Sequence, residues 1–289
     1  MSGAATGIAL YDGTAGDAAA VVVSRYSTSF GLACRLLGAR VRPHVRNLYA
    51  LVRVADEIVD GPAAAAGLSP EAIRDLLDAL ETETRAAVAR GFSANLVVHA
   101  FAATARECGI AAQHLDPFFG SMRDDLTVRR HDQASHDAYV YGSAEVVGLM
   151  CLQIFVNAGR DAPTAPPAGL VDGARRLGAA FQDVNFLRDA DHDLQALGRD
   201  YLGGDQRDAV LDRIERDLDA AATVIPRLPA DCRRAVTAAH DLFAELAMRL
   251  RLAPPGSGRV RVPDARKTLI VARAALGRPP RRRHAGAVA

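Results

Sequence analysis

One segment of the sequence restricts the possible folds more than any other: RNLYALVRVADEIVD, residues 46–60. Its polar side chains recur at steps of three and four residues, at Arg46, Tyr49, Arg53, Asp56 and Asp60. In an α-helix this spacing places all five on one face. Leucine, valine, isoleucine and alanine fill most of the remaining circumference, whereas a surface helix has a broad polar face and an apolar stripe. The segment therefore predicts a helix inside a bundle, with its polar stripe directed at something other than apolar core.

A second segment, FQDVNFLRDADHD at 181–193, repeats this pattern. Gln182, Asn185, Asp189 and Asp193 follow one another at steps of three and four residues, again on one helix face. Two DxxxD pairs on separate helices can face one another across a cavity and form a site of hard oxygen ligands. Mg²⁺ prefers such ligands and commonly bridges carboxylates to phosphate oxygens.

The arginines of the two segments allow two interpretations. Arg46, Arg53 and Arg188 can hold a phosphate group by directed donor pairs. They can instead form structural salt bridges with the aspartates, and a single DxxxD pair is common on a solvated helix face. Two such pairs, each inside an apolar helix and each with arginine or amide neighbours on the same stripe, favour a metal–diphosphate cavity.

The rest of the chain has the helix-breaking segments that are expected between successive helices. Helix-compatible segments follow one another from residue 17 onward, separated by runs such as GPAAAAG, APTAPPAG and PPGSG. The alternating Val/Ile/Thr runs that predict strands are absent, with GRVRVP at 258–263 as the only short exception. We predict an all-α fold with a flexible N-terminal arm at 1–16, one helical domain at 17–276 and a disordered basic tail at 277–289.

Composition narrows the class of protein. The net charge of +1 provides no field for nucleic acid. The four cysteines are far apart and form no CxxC pair, so a disulfide framework is not expected and a reducing cytoplasm is the natural setting. No signal peptide is recognisable, and the apolar run at 146–156 is too short to span a bilayer. We expect a cytoplasmic protein, soluble or peripherally attached to a membrane.

From residue 24 to 276 the chain resembles the squalene/phytoene synthase family, the head-to-head prenyl transferases of the all-α isoprenoid-synthase fold. The pieces that carry the resemblance occur in the family's order: YSTSF at 26–30, RNLYALVRVADEIVD at 46–60, SMRDDL at 121–126, YVYGSAEVVGLM at 139–150 and FQDVNFLRDADHD at 181–193. Within the family, YGSAEVVGLMCL and NFLRD are most similar to bacterial phytoene synthases of carotenoid pathways.

The resemblance implies roles residue by residue. Asp56, Asp60, Asp189 and Asp193 match the two aspartate motifs, which bind Mg²⁺ ions that hold diphosphate; Mn²⁺ is the alternative ion. Tyr49 and Arg53 match positions that contact diphosphate beside the first motif. The other implied substrate contacts are Ser27, Ser29 and Phe30 in a covering segment, Gln182, Asn185 and Arg188 beside the second motif, the cavity tyrosine Tyr139, and Ala144, Val147 and Gly148 along the prenyl tunnel.

The implied reaction is Mg²⁺-dependent condensation of two geranylgeranyl diphosphates to phytoene through prephytoene diphosphate, with no NADPH. Alternatives are a farnesyl diphosphate-using relative that makes presqualene diphosphate, hydroxysqualene or squalene, a relative that prenylates another acceptor, and a non-catalytic assembly partner. Prenyl diphosphates are the expected partners and nucleic acid is not. Peripheral membrane contact is compatible with lipidic substrates, and the sequence carries no signal for an oligomeric state.

Several positions depart from the family pattern. His192 stands where the second motif usually has glutamate, and Gly203 replaces the proline of a G-R-x-Y-x-P segment. Asp183 and Glu145 place charges where small or apolar residues are commoner. These changes leave the four aspartates intact. Two interpretations of Asp125 stay open, a surface acid or a family position near the cavity, whereas His131 and His136 are predicted to be solvated loop residues.

Overall fold

A computed structural model describes residues 7–26, 29–192, 198–202, 207–254 and 258–282. Across these ranges the chain forms helices and no strand, so the all-α prediction is confirmed. The α-helices are α1 (Ile8–Tyr26), α2 (Ser29–Cys34), α3 (Arg42–Val59), α4 (Pro62–Ala65), α5 (Pro70–Arg90), α6 (Leu96–Cys108), α7 (Ala112–Thr127), α8 (Gln133–Val140), α9 (Val146–Asn157), α10 (Ala168–His192), α11 (Arg207–Val224), α12 (Ala230–Leu252) and α13 (Asp264–Ala275).

Helix α3 lies in the largest hydrophobic cluster of the described residues. Its apolar residues Leu48, Leu51 and Ala55 are buried against side chains of α5, α6, α7 and α9. The helix ends at Val59, because Gly61 adopts a φ of 122°, a conformation that favours glycine, and Pro62 follows. Asp60 is therefore the C-cap residue, directly after the last helical turn.

The second large cluster joins α10, α11 and α12 through residues such as Val184, Ile214 and Leu246. Helix α9 packs against both α3 and α10 and so connects the two clusters. The two segments with polar stripes thus belong to helices that are held by a shared neighbour.

A π-helical turn at Tyr141–Glu145 connects α8 to α9. The run Gln133–Asn157 is long and apolar enough to cross a membrane by length and composition, and half of its most apolar window is buried inside the protein. Met150, Leu152 and Ile154 of this run lie in the largest hydrophobic cluster. Such burial is typical of a core helix.

The predicted arm and tail need different boundaries within the described residues. Helix α1 already begins at Ile8, because the Tyr11 hydroxyl donates to the Ser93 carbonyl at 2.9 Å and Asp12 lies 2.7 Å from the His99 ring. At the other end, Pro280 is buried and the Arg281 backbone N–H donates to Asp241 at 2.8 Å. Residues 8–16 are thus helical, and Arg281 contacts α12.

Candidate active site

The polar stripe of α3 forms one wall of the candidate site. Arg46, Tyr49, Arg53 and Asp56 are all half-buried, neither packed into the core nor fully in water. Asp60 is exposed at the C-cap, with 41% of its side chain accessible. The stripe therefore lies at the boundary between the protein interior and solvent.

Arg53 is held by groups on both sides. Its guanidinium forms an ion pair with Glu57 one turn later, lies 3.9 Å from the Asp56 carboxylate and covers the Tyr26 ring at 4.8 Å. Its Nε is buried without a hydrogen-bond partner. A buried N–H without an acceptor costs free energy, so this group favours an anionic ligand nearby.

The carboxyl group of Asp56 lies among like charges. Its pKa is raised well above the ordinary aspartate value, first because the group is withdrawn from bulk water and then because Asp60 is one turn away. Asp125 raises it further, whereas Arg53 lowers it. A divalent cation would relieve this repulsion and favour the charged carboxylate.

On α10, Asp189 is paired with two arginines. The Arg188 Nε donates to Asp189 at 3.0 Å, and the Arg259 Nε, from the segment before α13, lies 2.8 Å from the same oxygen. Burial alone would raise the pKa of Asp189, but the two guanidinium groups outweigh it and lower the pKa below its usual value. Gln182 and Asn185 are half-buried on this helix.

A buried network connects α7, α8 and the segment at 198–202 to the end of α3. Arg199 donates to Asp60 and to the Tyr201 hydroxyl, both at 3.0 Å. The Tyr201 hydroxyl donates to Asp125 at 2.7 Å, and the Tyr139 hydroxyl donates to the same carboxylate at 2.9 Å. Burial raises the pKa of Asp125 to about 6, although Arg199 and the two hydroxyls act in the opposite direction.

Sequence reasoning missed Arg199, Tyr201 and Arg259 as site neighbours. The GRDYLGG segment carried a signal, since Arg199 and Tyr201 match the family's G-R-x-Y-x-P pattern. Arg259 gave no signal of its own. Asp125 is not a surface acid, because only 4% of its side chain is exposed.

The predicted tunnel residues lie where the π-helical turn and α9 meet α10. Ala144, Val147 and Gly148 are half-buried there, and a Cβ added to Gly148 would lie 2.6 Å from the Ala174 carbonyl oxygen. Tyr139 is buried, and Ser29 begins α2. Ser27 and Asp193, and the side chains of Ser29, Phe30 and His192, lie outside the described residues.

The prediction for the two histidines was wrong. His131 is buried beside Tyr139 and stacks on Tyr201 with ring centroids 5.8 Å apart. His136 is buried as well, and its Nε2 lies 3.3 Å from Asp183, a carboxylate that also accepts from Arg213 at 2.7 Å. Each ring packs against a side chain that is distant in sequence, Tyr201 for His131 and Asp183 for His136. The polar residues next to the histidines in the sequence do not reveal these contacts.

The carboxylates of the site fit a hard divalent cation in their chemistry. Asp56, Asp60 and Asp189 offer oxygen donors of the kind that Mg²⁺ prefers, and the charge of Asp60 raises the pKa of Asp56. In the part of the chain that the structure describes, no three His, Cys, Asp or Glu side chains form a metal-sized group. Asp193 of the second pair lies outside that part.

The family model for squalene/phytoene synthases matches residues 23–208, which include the α3 stripe, the π-helical turn and the α10 stripe. The chain belongs to the squalene/phytoene synthase family. Members of this family are prenyltransferases, so the predicted enzyme class is confirmed.

Curated relatives in this family are phytoene synthases. The 15-cis-phytoene synthase of Paracoccus sp. (strain N81106 / MBIC 01143) is 30% identical over 275 residues, which cover 86% of each chain. The phytoene synthase of Rhodobacter capsulatus is 29% identical and covers 86% of this chain and 78% of its own length. The chain is therefore phytoene synthase-like among the family's members.

Solved structures confirm the isoprenoid-synthase helical bundle. A dehydrosqualene synthase in complex with a ligand superposes with a TM-score of 0.75 and 21% identity, covering 92% of this chain and 97% of its own. The squalene synthase HpnC from Alicyclobacillus acidocaldarius gives a TM-score of 0.71 and 19% identity, covering 84% and 95%. At these low sequence identities, the similarity shows a shared fold and nothing more.

Proposed function

We propose that this family member condenses two geranylgeranyl diphosphates head to head and forms phytoene through prephytoene diphosphate. The observation that carries the proposal is the charge arrangement of the site. Asp56 and Asp60 place two carboxyl groups one turn apart at the end of α3, and the arginines at 53, 188 and 259 lie beside Asp56 and Asp189. The similarity to 15-cis-phytoene synthase over 86% of the chain supports the choice of substrate.

In this mechanism the side chains of the two walls bind and orient the diphosphate. Asp56, Asp60, Asp189 and Asp193 would hold Mg²⁺, which when bound supplies positive charge to the leaving diphosphate. Arg53, Arg188 and Arg259 donate to diphosphate oxygens and stabilise the negative charge that develops there. Arg188 and Arg259 exchange their contact with Asp189 for the phosphate oxygens.

The prenyl chains require an apolar, dry environment, because water would capture the allylic cation. Val147 and Gly148 contribute to such a wall beside α10, and the close approach of α9 to α10 leaves no room there for a larger side chain at Gly148. No nucleophilic side chain is needed, and we expect no NADPH requirement for phytoene formation.

Incubation of the purified enzyme with geranylgeranyl diphosphate and Mg²⁺, followed by mass spectrometry of the extracted lipid, tests the proposal. We expect phytoene, with prephytoene diphosphate as the intermediate, and no product when the metal is chelated. A parallel incubation with farnesyl diphosphate tests the alternative substrate. Folded protein that forms only C30 products, or no product from either substrate, contradicts the proposal.

We also propose that the protein is cytoplasmic and makes peripheral contact with a membrane. Substrate and product are both lipidic, so the enzyme has to exchange them with a membrane. Fractionation of cells that express the chain checks this part: we expect it in the soluble fraction and, in part, on membranes from which high salt or carbonate releases it.

A further inference from the structure

Four buried polar side chains form a network beside the end of α3. Asp125, Tyr139, Arg199 and Tyr201 are each at most 8% exposed. Asp125 accepts from both tyrosine hydroxyls, and the Arg199 Nη1 lies 3.5 Å from the same carboxylate. Burying a guanidinium and a carboxylate is costly unless both are well paired, so a network of this kind requires an explanation.

Arg199 also reaches the end of α3. Its Nη2 donates to the Val59 carbonyl at 2.9 Å, and its Nη1 donates to the Oδ1 of Asp60 at 3.0 Å. A helix C-terminus carries partial negative charge and unsatisfied carbonyl groups, which disfavour a carboxylate at that place. The guanidinium satisfies one such carbonyl and offsets the charge of Asp60 at the same time.

The position of Arg199 is fixed from several directions. Its segment pairs with the loop after α7, since the Asp200 N–H donates to the Arg129 carbonyl at 2.8 Å and the His131 N–H donates to the Asp200 carbonyl at 3.1 Å. Two residues after Arg199, the Tyr201 ring stacks on Phe186 of α10 with centroids 4.5 Å apart. The donor to Asp60 therefore comes from a segment that is attached to the wall carrying the second aspartate motif.

We propose that Arg199 is a positioning residue for Asp60, held in place by Asp125 and Tyr201. The salt bridge occupies Oδ1 of Asp60, restricts the rotamers of this exposed side chain and leaves Oδ2 available to a divalent cation. Hydrogen-bonded groups behind a metal-binding carboxylate commonly change metal affinity by about 10–100-fold when they are removed. The proposal rests on the proposed function, because it assumes that Asp60 takes part in a Mg²⁺–diphosphate site.

The test is the substitution Arg199→Lys, which keeps the charge but removes the fork that spans Val59 and Asp60. Thermal melting of the full chain is followed while Mg²⁺ is titrated in the presence of micromolar inorganic diphosphate. We expect the half-saturating Mg²⁺ concentration to rise about tenfold relative to wild type. Turnover with geranylgeranyl diphosphate should fall at low Mg²⁺ and recover substantially at high Mg²⁺.

Arg40→Lys is the matched control. Arg40 also bonds an aspartate, Asp231 at 2.8 Å, and two backbone carbonyls, of Ala158 and Phe155, but it lies away from the candidate site. Both substitutions remove comparable structural contacts, so both are expected to lower the melting temperature. Only Arg199→Lys should change the Mg²⁺ dependence.

The outcomes separate this proposal from the proposed function. If wild-type protein shows no Mg²⁺-dependent response to diphosphate, the proposed function and this inference both fail. If wild type responds and Arg199→Lys has the same half-saturating Mg²⁺ concentration, the inference alone is overturned. Should Arg199→Lys yield no folded protein, Tyr201→Phe decides by the same titration, since it removes the hydroxyl that accepts from Arg199. A higher half-saturating Mg²⁺ concentration supports the proposal, and an unchanged one overturns it.

Discussion

At the scale of single residues, the α3 wall combines groups whose charges are unfavourable without a ligand. Asp56 has a raised pKa because of its withdrawal from water and the nearby charges of Asp60 and Asp125. Arg53, one turn earlier, has a buried Nε without an acceptor. Proteins keep such unfavourable groups at functional sites, where a ligand compensates for them, at the expense of stability.

Asp56→Asn separates function from stability at this site. Because the amide removes one charge from a group of like charges, we expect the melting temperature to stay equal or to rise. Turnover of geranylgeranyl diphosphate should fall about 100-fold or more, as when one preorganised stabiliser of a developing charge is lost. Asp172→Asn, an exposed aspartate of α10 that pairs with Arg176, is the control and should leave both quantities unchanged. If Asp56→Asn turned over substrate at the wild-type rate, the assignment of Asp56 as a catalytic residue would be contradicted.

At the scale of elements, two glycines permit the close packing of α9 and the π-helical turn on α10. A Cβ at Gly148 would lie 2.6 Å from the Ala174 carbonyl oxygen, and a Cβ at Gly178 would lie 2.6 Å from that of Ala144. Both obstacles are backbone atoms, which cannot move as the end of a flexible side chain can. The approach of these two segments is therefore fixed by the absence of a side chain on each.

Gly148→Ala should destabilise the protein by about 1–3 kcal/mol, because it overpacks a close backbone approach. Chemical denaturation measures this directly. Gly120→Ala is the matched control: Gly120 lies within α7, and nothing stands within 4 Å of an added Cβ. There the gain in helix propensity should stabilise the protein by about 0.5–1 kcal/mol. Equal effects of the two substitutions would show that the close approach is not a constraint in solution.

These elements also show what the sequence could and could not predict. The stripes of α3 and α10 were found because helical periodicity and apolar flanks are local properties. The π-helical turn was not found, since it depends on how Gly142 packs against α7. The buried state of His136 depends on Asp183, which lies 47 residues later, and the role of Arg199 depends on an aspartate 139 residues earlier. Such long-range pairs leave no periodic trace in one sequence.

At the scale of the whole molecule, α12 connects the C-terminal segments to the bundle through buried acids. The Glu245 carboxylate, 2% exposed, pairs with Arg249 of its own helix at 3.0 Å and with Arg266 of α13 at 2.8 Å. One turn earlier, Asp241 is fully buried beside His240 and accepts the Arg281 backbone N–H. Although burial acts in the opposite direction, the arginines and these hydrogen bonds lower the pKa of both carboxyl groups.

The lowered pKa values predict how stability depends on pH. An unfolded Glu binds its proton near pH 4.3, whereas folded Glu245 binds it only at lower pH, so the unfolded state takes up protons first as the pH falls. The contribution of Glu245 is therefore complete above about pH 5 and is lost as the pH falls below about 4. Glu245→Gln should lower the free energy of unfolding by about 1–3 kcal/mol at pH 7, and this difference should shrink toward pH 3.

Urea denaturation of wild type and Glu245→Gln from pH 7 to pH 3 measures this difference. Asp264→Asn is the control, because Asp264 forms an exposed ion pair with Lys267 and its substitution should have little effect at any pH. A difference that stays constant from pH 7 to 3 would mean that the ionised carboxylate does not hold α13 and the C-terminal segment onto α12.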